Sequence, residues 1–93
     1  MKTACCNIIV ISGNELDNNI LVVTQGKTTK EANGKCMVKA EQKFRQVIEV
    51  ELKNIDKSTV IDEEDFNAAL DEGYYDVKPG VTTVFMVWPT LAK

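Results

Sequence analysis

Histidine is absent from the 93 residues of this chain. The side chain that most often serves as a general base near neutral pH is therefore missing. The three cysteines, Cys5, Cys6 and Cys36, consequently lack the usual partner that converts a thiol into a nucleophilic thiolate. Two adjacent cysteines and one distant cysteine also fall short of the four spaced ligands that structural zinc requires. The sequence therefore predicts no catalytic residue, no cofactor and no metal site.

Long apolar runs and targeting signals are lacking as well. No segment approaches the roughly 20 apolar residues that a membrane-spanning helix needs. The N-terminal segment MKTACCNIIVISG has its apolar run interrupted by Asn7, and no small-residue cleavage site follows it. An odd number of cysteines, two of them adjacent, does not fit the disulfide framework of a secreted domain. We expect a cytoplasmic protein with no membrane partner.

Excess positive charge is the third absence, since the formal net charge is −3. This sign disfavours nucleic acid as a partner, because phosphate binding requires basic side chains. One flank of the longest predicted helix nevertheless carries Lys35, Lys39 and Lys43 at four-residue spacing, and we name these three residues the basic stripe. The stripe is either a solvated helix face or a contact for an acidic partner or nucleic acid.

The segment Gly26-Lys27-Thr28 follows a predicted strand, as the end of a phosphate-binding loop does. The full motif, G-x-x-x-x-G-K-[ST], needs a first glycine that lets backbone N–H groups wrap the phosphates. Leu21 occupies that position, so no nucleotide site is predicted. We expect Gly26 to let the chain turn and Thr28 to cap a helix. A weak anion contact by Lys27 and Thr28 at the helix N-terminus remains as a prediction.

Two helices are predicted from apolar periodicity and capping residues. An apolar stripe with a 3.6-residue period predicts a helix over about 29–54, which Thr28 and Glu31 begin as a capping box. The Asn33-Gly34 dipeptide is a competing hairpin signal, so the helical state of residues 33–54 stays open. A second helix over about 63–72 follows from an N-cap at Asp62 and a stop at Gly73.

Apolar, largely β-branched segments at residues 6–12, 20–25 and 82–88 predict strands, and the turn formers of residues 13–19 predict a hairpin loop. Tyr74–Val77 is an optional short edge strand before the last one. The chain is therefore expected to be one α+β domain over residues 1–93. Its predicted architecture is a two-layer sandwich, with a three- to four-stranded, mostly antiparallel sheet and two helices on one face, in the order ββααβ.

The predicted strands are apolar at successive positions, as in IIVI, ILVV and VFMVW. An antiparallel strand with one wet face would alternate apolar and polar residues, so both faces of this sheet need cover. Two helices cover only one face. The loop at 13–19, the termini and residues 74–80 either fold across the second face or leave it exposed. The residues expected on an exposed face are Ile9, Ile11 and one alternate pair from Ile20 to Val23, of which Leu21 and Val23 are the candidates. The last strand adds either Phe85 and Val87 or Val84, Met86 and Trp88.

Exposed apolar patches of this kind usually mark an interface. The sequence therefore favours a small non-catalytic protein–protein interaction module that binds a protein partner or a second copy, most simply as a homodimer. Adaptors, inhibitors and the accessory proteins of phage and mobile elements fit its size and acidity. The alternative is a small enzyme or enzyme subunit whose site forms at a homo-oligomer interface. Acidic residues, the cysteines, Tyr74 and Tyr75 would be its candidates.

Overall fold

A computed structural model describes the backbone of residues 1–90 and the side chains of residues 1–87. It contains a four-stranded antiparallel sheet, in the order β2-β1-β4-β3, and two helices, which confirms the α+β class. The ββααβ order is wrong, because Tyr74–Lys78 pairs with the last strand and makes the order ββααββ. The elements are β1 (Lys2–Ser12), β2 (Glu15–Gly26), α1 (Thr29–Ile55), α2 (Glu63–Glu72), β3 (Tyr74–Lys78) and β4 (Thr82–Thr90).

The hairpin between β1 and β2 is tighter than the predicted loop at 13–19. Its turn consists of Gly13 and Asn14 alone, and Gly13 has a φ of 60°, as the first central residue of a type II′ turn requires. The polar residues that follow join the strand instead, and Asn19 pairs with Ile9. The register shifts between Val10 and Ile11, where β2 has one more residue than β1, and this bulge lets the polar residues of β2 join the strand. Turn-forming side chains are tolerated here because β2 is an edge strand.

Helix α1 begins and continues as its capping and periodicity predict. The Thr28 hydroxyl accepts a hydrogen bond from the Glu31 N–H at 3.1 Å, and the Glu31 carboxylate accepts one from the Lys27 N–H at 3.3 Å. Asn33 and Gly34 lie inside the helix, so the hairpin alternative is not realised. The buried stripe of α1 consists of Ala32, Cys36, Ala40, Phe44, Val47, Ile48 and Leu52.

Helix α2 has a capping residue at each end and packs against α1. The Asp62 carboxylate accepts hydrogen bonds from the N–H groups of Glu64 and Asp65, and Gly73 ends the helix with a φ of 85°. The rings of Phe66 and Phe44 lie 5.9 Å apart in the core. No helix of the described residues is long and apolar enough to cross a membrane.

Alternating side chains of the strands pack under α1 on one side of the sheet, which we name the covered face. On β1 these are Ala4, Cys6, Ile8 and Val10, all buried. The buried Thr24 hydroxyl donates a hydrogen bond of 2.8 Å to the Ala32 carbonyl and so joins β2 to the first turn of α1. The core cluster is completed from β2, β3 and β4 by Val22, Val77, Val84 and Met86.

Candidate functional site

The other side of the sheet, which we name the open face, carries no helix of residues 1–90, because α1 and α2 turn their buried residues toward the covered face. Side chains of directly paired residues share a face in an antiparallel sheet, so the strand register identifies the residues of the open face. On β1 they are Thr3, Cys5, Asn7, Ile9 and Ile11; on β2 Leu16, Asn19, Leu21, Val23 and Gln25; on β4 Thr83, Phe85 and Val87; and on β3 Tyr74 and Asp76.

The middle of the open face lies on the two central strands, β1 and β4. Ile9 pairs with Phe85, and Asn7 pairs with Val87 in the next row. The Phe85 ring also contacts the ring of Tyr74 on β3, with centroids 6.2 Å apart. Because these side chains shield one another, Ile9 and Phe85 are half-buried, whereas Leu16, Leu21 and Val23 on the edge strand β2 are exposed.

Of the residues predicted for an exposed face, Ile9, Ile11, Leu21, Val23, Phe85 and Val87 all lie on the open face. The alternative pair on β4, Val84 and Met86, is buried in the core. The side chain of Trp88, also proposed as a contact, lies outside the described residues. A binding role for the six placed residues stays a prediction.

Sequence reasoning missed Leu16, Cys5 and Tyr74 on this face. Leu16 lay inside the predicted loop. Its pairing partner depends on the shift in register between Val10 and Ile11, which no local sequence pattern predicts. The segments expected as possible covers do not cross the open face within the described residues. Residues 15–19 belong to β2, and Tyr74–Lys78 forms the edge strand β3.

Within the part of the chain that the structure describes, the open face carries little charge, and charged side chains lie at the two sheet edges. Glu15 and Asp17 belong to β2 itself. Among the open-face residues, only Asp76, on β3, carries a charge. The basic stripe of α1 lies along the β2 edge. Lys35 donates a hydrogen bond of 3.2 Å to the Gln25 carbonyl of β2, and Lys43 lines a cavity of about 220 Å³ with Asn18 and Ile20.

Acidic side chains lie along the opposite edge, where α2 meets β3. A cavity of about 300 Å³ there is lined by Asp65, Glu72, Asp76, Tyr74 and Tyr75. The neighbouring Glu72 carboxylate raises the pKa of Tyr74, and burial together with Asp65 raises the pKa of Tyr75. Both hydroxyls are therefore weaker acids than a free tyrosine.

The predicted anion contact, Lys27 and Thr28, lies at the N-terminus of α1. The Thr28 hydroxyl and the Lys27 N–H are both engaged in the capping box with Glu31. The Glu31 carboxylate thus occupies the position where an external anion would approach. This contact stays a prediction, and the geometry gives it no support.

The three cysteines have different environments. Adjacent strand residues point to opposite faces, so Cys5 lies on the open face and Cys6 in the core. Burial, then the nearby Cys36 and Cys5 thiols, raises the pKa of Cys6 to about 11. Burial also raises the pKa of Cys36. Within residues 1–87, no group of three or more histidine, cysteine or acidic side chains is arranged to hold a metal.

We expect iodoacetamide at pH 8 to alkylate Cys5 in the folded protein while Cys6 and Cys36 remain unmodified. A pKa of about 11 leaves only about one Cys6 thiol in a thousand ionised at that pH, and both core thiols are shielded from reagent. Intact-mass spectrometry over time would show one adduct, absent in a Cys5→Ser variant. Simultaneous modification of two or three thiols would contradict the burial of Cys6 and Cys36.

Comparison with known proteins does not assign this chain to a protein family. No family model matches it, and no curated protein or solved structure matches it.

Proposed function

We propose that this chain is a small non-catalytic protein–protein interaction module that binds its partner through the open face. The supporting observation is the exposure of large apolar side chains along a single plane. Leu16 and Leu21 are 60% and 62% exposed, and Val23 and Val87 are each 47% exposed. The largest contiguous apolar patch of a globular domain, roughly 300–600 Å², is often functional, and larger patches mark interaction surfaces.

The free energy available on this surface is large enough for binding. Covering on the order of 400 Å² of apolar surface contributes about 10 kcal/mol at about 25 cal/mol per Å². Association costs roughly 4–15 kcal/mol in lost translational and rotational freedom. The open face therefore suits reversible association, with additional apolar surface contributed by the partner.

Polar groups around the patch can provide specificity. Asn7 lies between Leu21 and Val87 in one row of the face, and Asn19, Gln25 and Thr83 lie toward the margins. A partner must satisfy the Asn7 amide when it covers the row, because a buried amide without a hydrogen bond is costly. Apolar centres with polar rims are typical of specific interfaces.

The enzyme alternative receives less support from the same residues. Its candidate groups were the cysteines, the tyrosines and the acidic residues. The pKa values of Cys6, Cys36, Tyr74 and Tyr75 are all raised, which disfavours the ionised forms that a nucleophile or base would use. No observation on the described residues favours catalysis over binding.

A photoreactive amino acid placed at position 21 is expected to form crosslinks in the cells that produce this protein. Leu21 lies on the open face, and Val38, on the outer side of α1, is a control of similar exposure (62% and 58%). Position 21 should yield one discrete crosslinked band on a gel, and position 38 should yield none. Absence of a band from position 21, or identical bands from both positions, would overturn the proposal.

A further inference from the structure

We infer that the occupant of the open face is a second copy of this chain, packed face to face about a two-fold axis. This inference rests on the proposed function, because it names the partner of the same surface. The arrangement is a closed dimer in which two sheets form the inner layers and the helices form the outer layers. Three observations support it: the scarcity of charge on the open face, the acidic charge at the β3 edge, and the area of the face.

The first property is the scarcity of charge. Asp76 is the one charged residue that the described part of the chain places on the open face, and it lies on the edge strand β3. A partner that differs from this chain in charge gains nothing from such a surface, because no salt bridge or long-range attraction is offered. An uncharged apolar plane is matched by another uncharged apolar plane. The open face of a second copy is such a surface.

The second property is the acidic charge at the β3 edge, which opposes one of the other symmetric ways of joining two copies. If two β3 strands paired into a continuous sheet, Asp65, Glu72 and Asp76 of both copies would approach one another. Like charges in direct opposition disfavour this arrangement. The β2 edge gives no such bias, because Glu15 and Asp17 of β2 lie there together with the basic stripe. Face-to-face packing keeps the acidic edges of the two copies apart.

The third property is the area of the face. A residue on one face of a sheet occupies about 32 Å² of the plane, so the open face extends over roughly 500 Å². Side-chain relief enlarges the accessible area above this planar value. Specific interfaces bury about 800 Å² per partner, and weaker ones less than about 600 Å². The open face lies near the lower end of this range, which fits a reversible dimer rather than an obligate one.

A two-fold axis through the centre of the face determines which residues meet. Ile9 and Phe85 lie side by side on the central strands, so each comes close to the same pair in the second copy. Asp76 lies at a corner, and the axis carries it to a different corner rather than onto its own copy. Packed sheets cross at about 30° with a separation of about 10 Å, and the Phe85 and Val87 side chains can interdigitate in that space.

One competing arrangement uses the edge charges favourably. The basic stripe beside β2 in one copy and the acidic β3 edge of another attract, but this head-to-tail contact leaves a free edge at each end. Such contacts produce open-ended chains that lengthen with concentration and weaken as salt screens the charges. A face-to-face dimer stops at two copies and is insensitive to salt. Mass and salt dependence therefore distinguish the two arrangements.

Sedimentation equilibrium over a range of concentrations tests the inference. The wild type should reach twice the chain mass and no more, at both low and high salt. Val87→Lys should weaken the dimer by at least about 100-fold, because it places a lysine near the centre of the interface in each copy. Val38→Lys, the same substitution on the outer side of α1, should leave the dimer unchanged. Circular dichroism should show that both variants are folded.

Other outcomes separate the dimer from the proposed function. A wild type that stays monomeric, while position 21 crosslinks to a different protein, would overturn the second-copy inference and leave the binding face intact. A monomer without any crosslink would overturn both. A dimer that survives Val87→Lys, or a salt-sensitive open-ended polymer, would overturn the inference because the contact would then lie elsewhere.

Discussion

Replacing Phe44 with alanine is expected to lower the free energy of unfolding by about 3–5 kcal/mol. Phe44 is fully buried near the middle of α1, among the largest of the core side chains, and its ring contacts Phe66 of α2. The substitution removes apolar surface from the core and leaves a cavity between α1, α2 and the sheet. Because domains of this size are stable by only about 5–15 kcal/mol, much of the stability would be lost.

Urea denaturation followed by circular dichroism would measure this loss, at one protein concentration because dimerisation couples stability to concentration. Gln42→Ala is the matched control, since Gln42 is an exposed residue of the same helix and its replacement should change stability by less than about 0.5 kcal/mol. A loss below about 1 kcal/mol for Phe44→Ala would show that α1 does not pack on the sheet as described.

Gly26→Ala is expected to destabilise the protein by about 1–3 kcal/mol, because the added methyl group has no room. A Cβ at position 26 would lie 2.7 Å from the backbone nitrogen of Ala32 and 2.9 Å from the Glu31 Cβ. The first turn of α1 cannot move away without breaking the hydrogen bond from the Thr24 hydroxyl to the Ala32 carbonyl. Gly26 is not among the glycines with positive φ, so the requirement for glycine here comes from close approach of strand and helix rather than from a turn.

Gly34→Ala provides the matched control with the opposite expected sign. A Cβ at Gly34 would meet nothing within 4 Å, and alanine is the better helix former by about 1 kcal/mol. We therefore expect the two substitutions to shift the urea midpoint in opposite directions. Equal effects at both positions would show that Gly26 does not sit against the first turn of α1.

The helices were predicted to within about a residue because their signals are local. The residues that cap the helix ends interact with backbone groups of the same turn, so sequence alone identifies them. They are Thr28, Glu31, Asp62 and Gly73. The start of β2 was missed for the opposite reason. Residues 15–19 are polar and turn-like, and they are strand only because β1 supplies their hydrogen-bonding partner. Pairing across the hairpin overrode local preference.

The open face shows where sequence reasoning reaches its limit. Both alternating sets of β4 side chains are apolar, so the sequence left Phe85 and Val87 equivalent to Val84 and Met86. The pairing of Ile9 with Phe85 assigns the first set to the open face, and this pairing joins residues far apart in the chain. The sequence alone predicts that both faces of the sheet are apolar. The residues that form each face depend on tertiary structure, because strand pairing assigns them.

The position of β1 in the sheet has a consequence for synthesis. β1 is flanked by β2, its neighbour in sequence, and by β4, the last of the described elements in chain order. While a ribosome is still adding residues 82–90, β1 has one side unpaired, and the hairpin holds apolar side chains on both surfaces. Contacts between distant parts of a chain form slowly. The nascent hairpin is thus the stage at which this protein is most exposed to aggregation or to capture by chaperones.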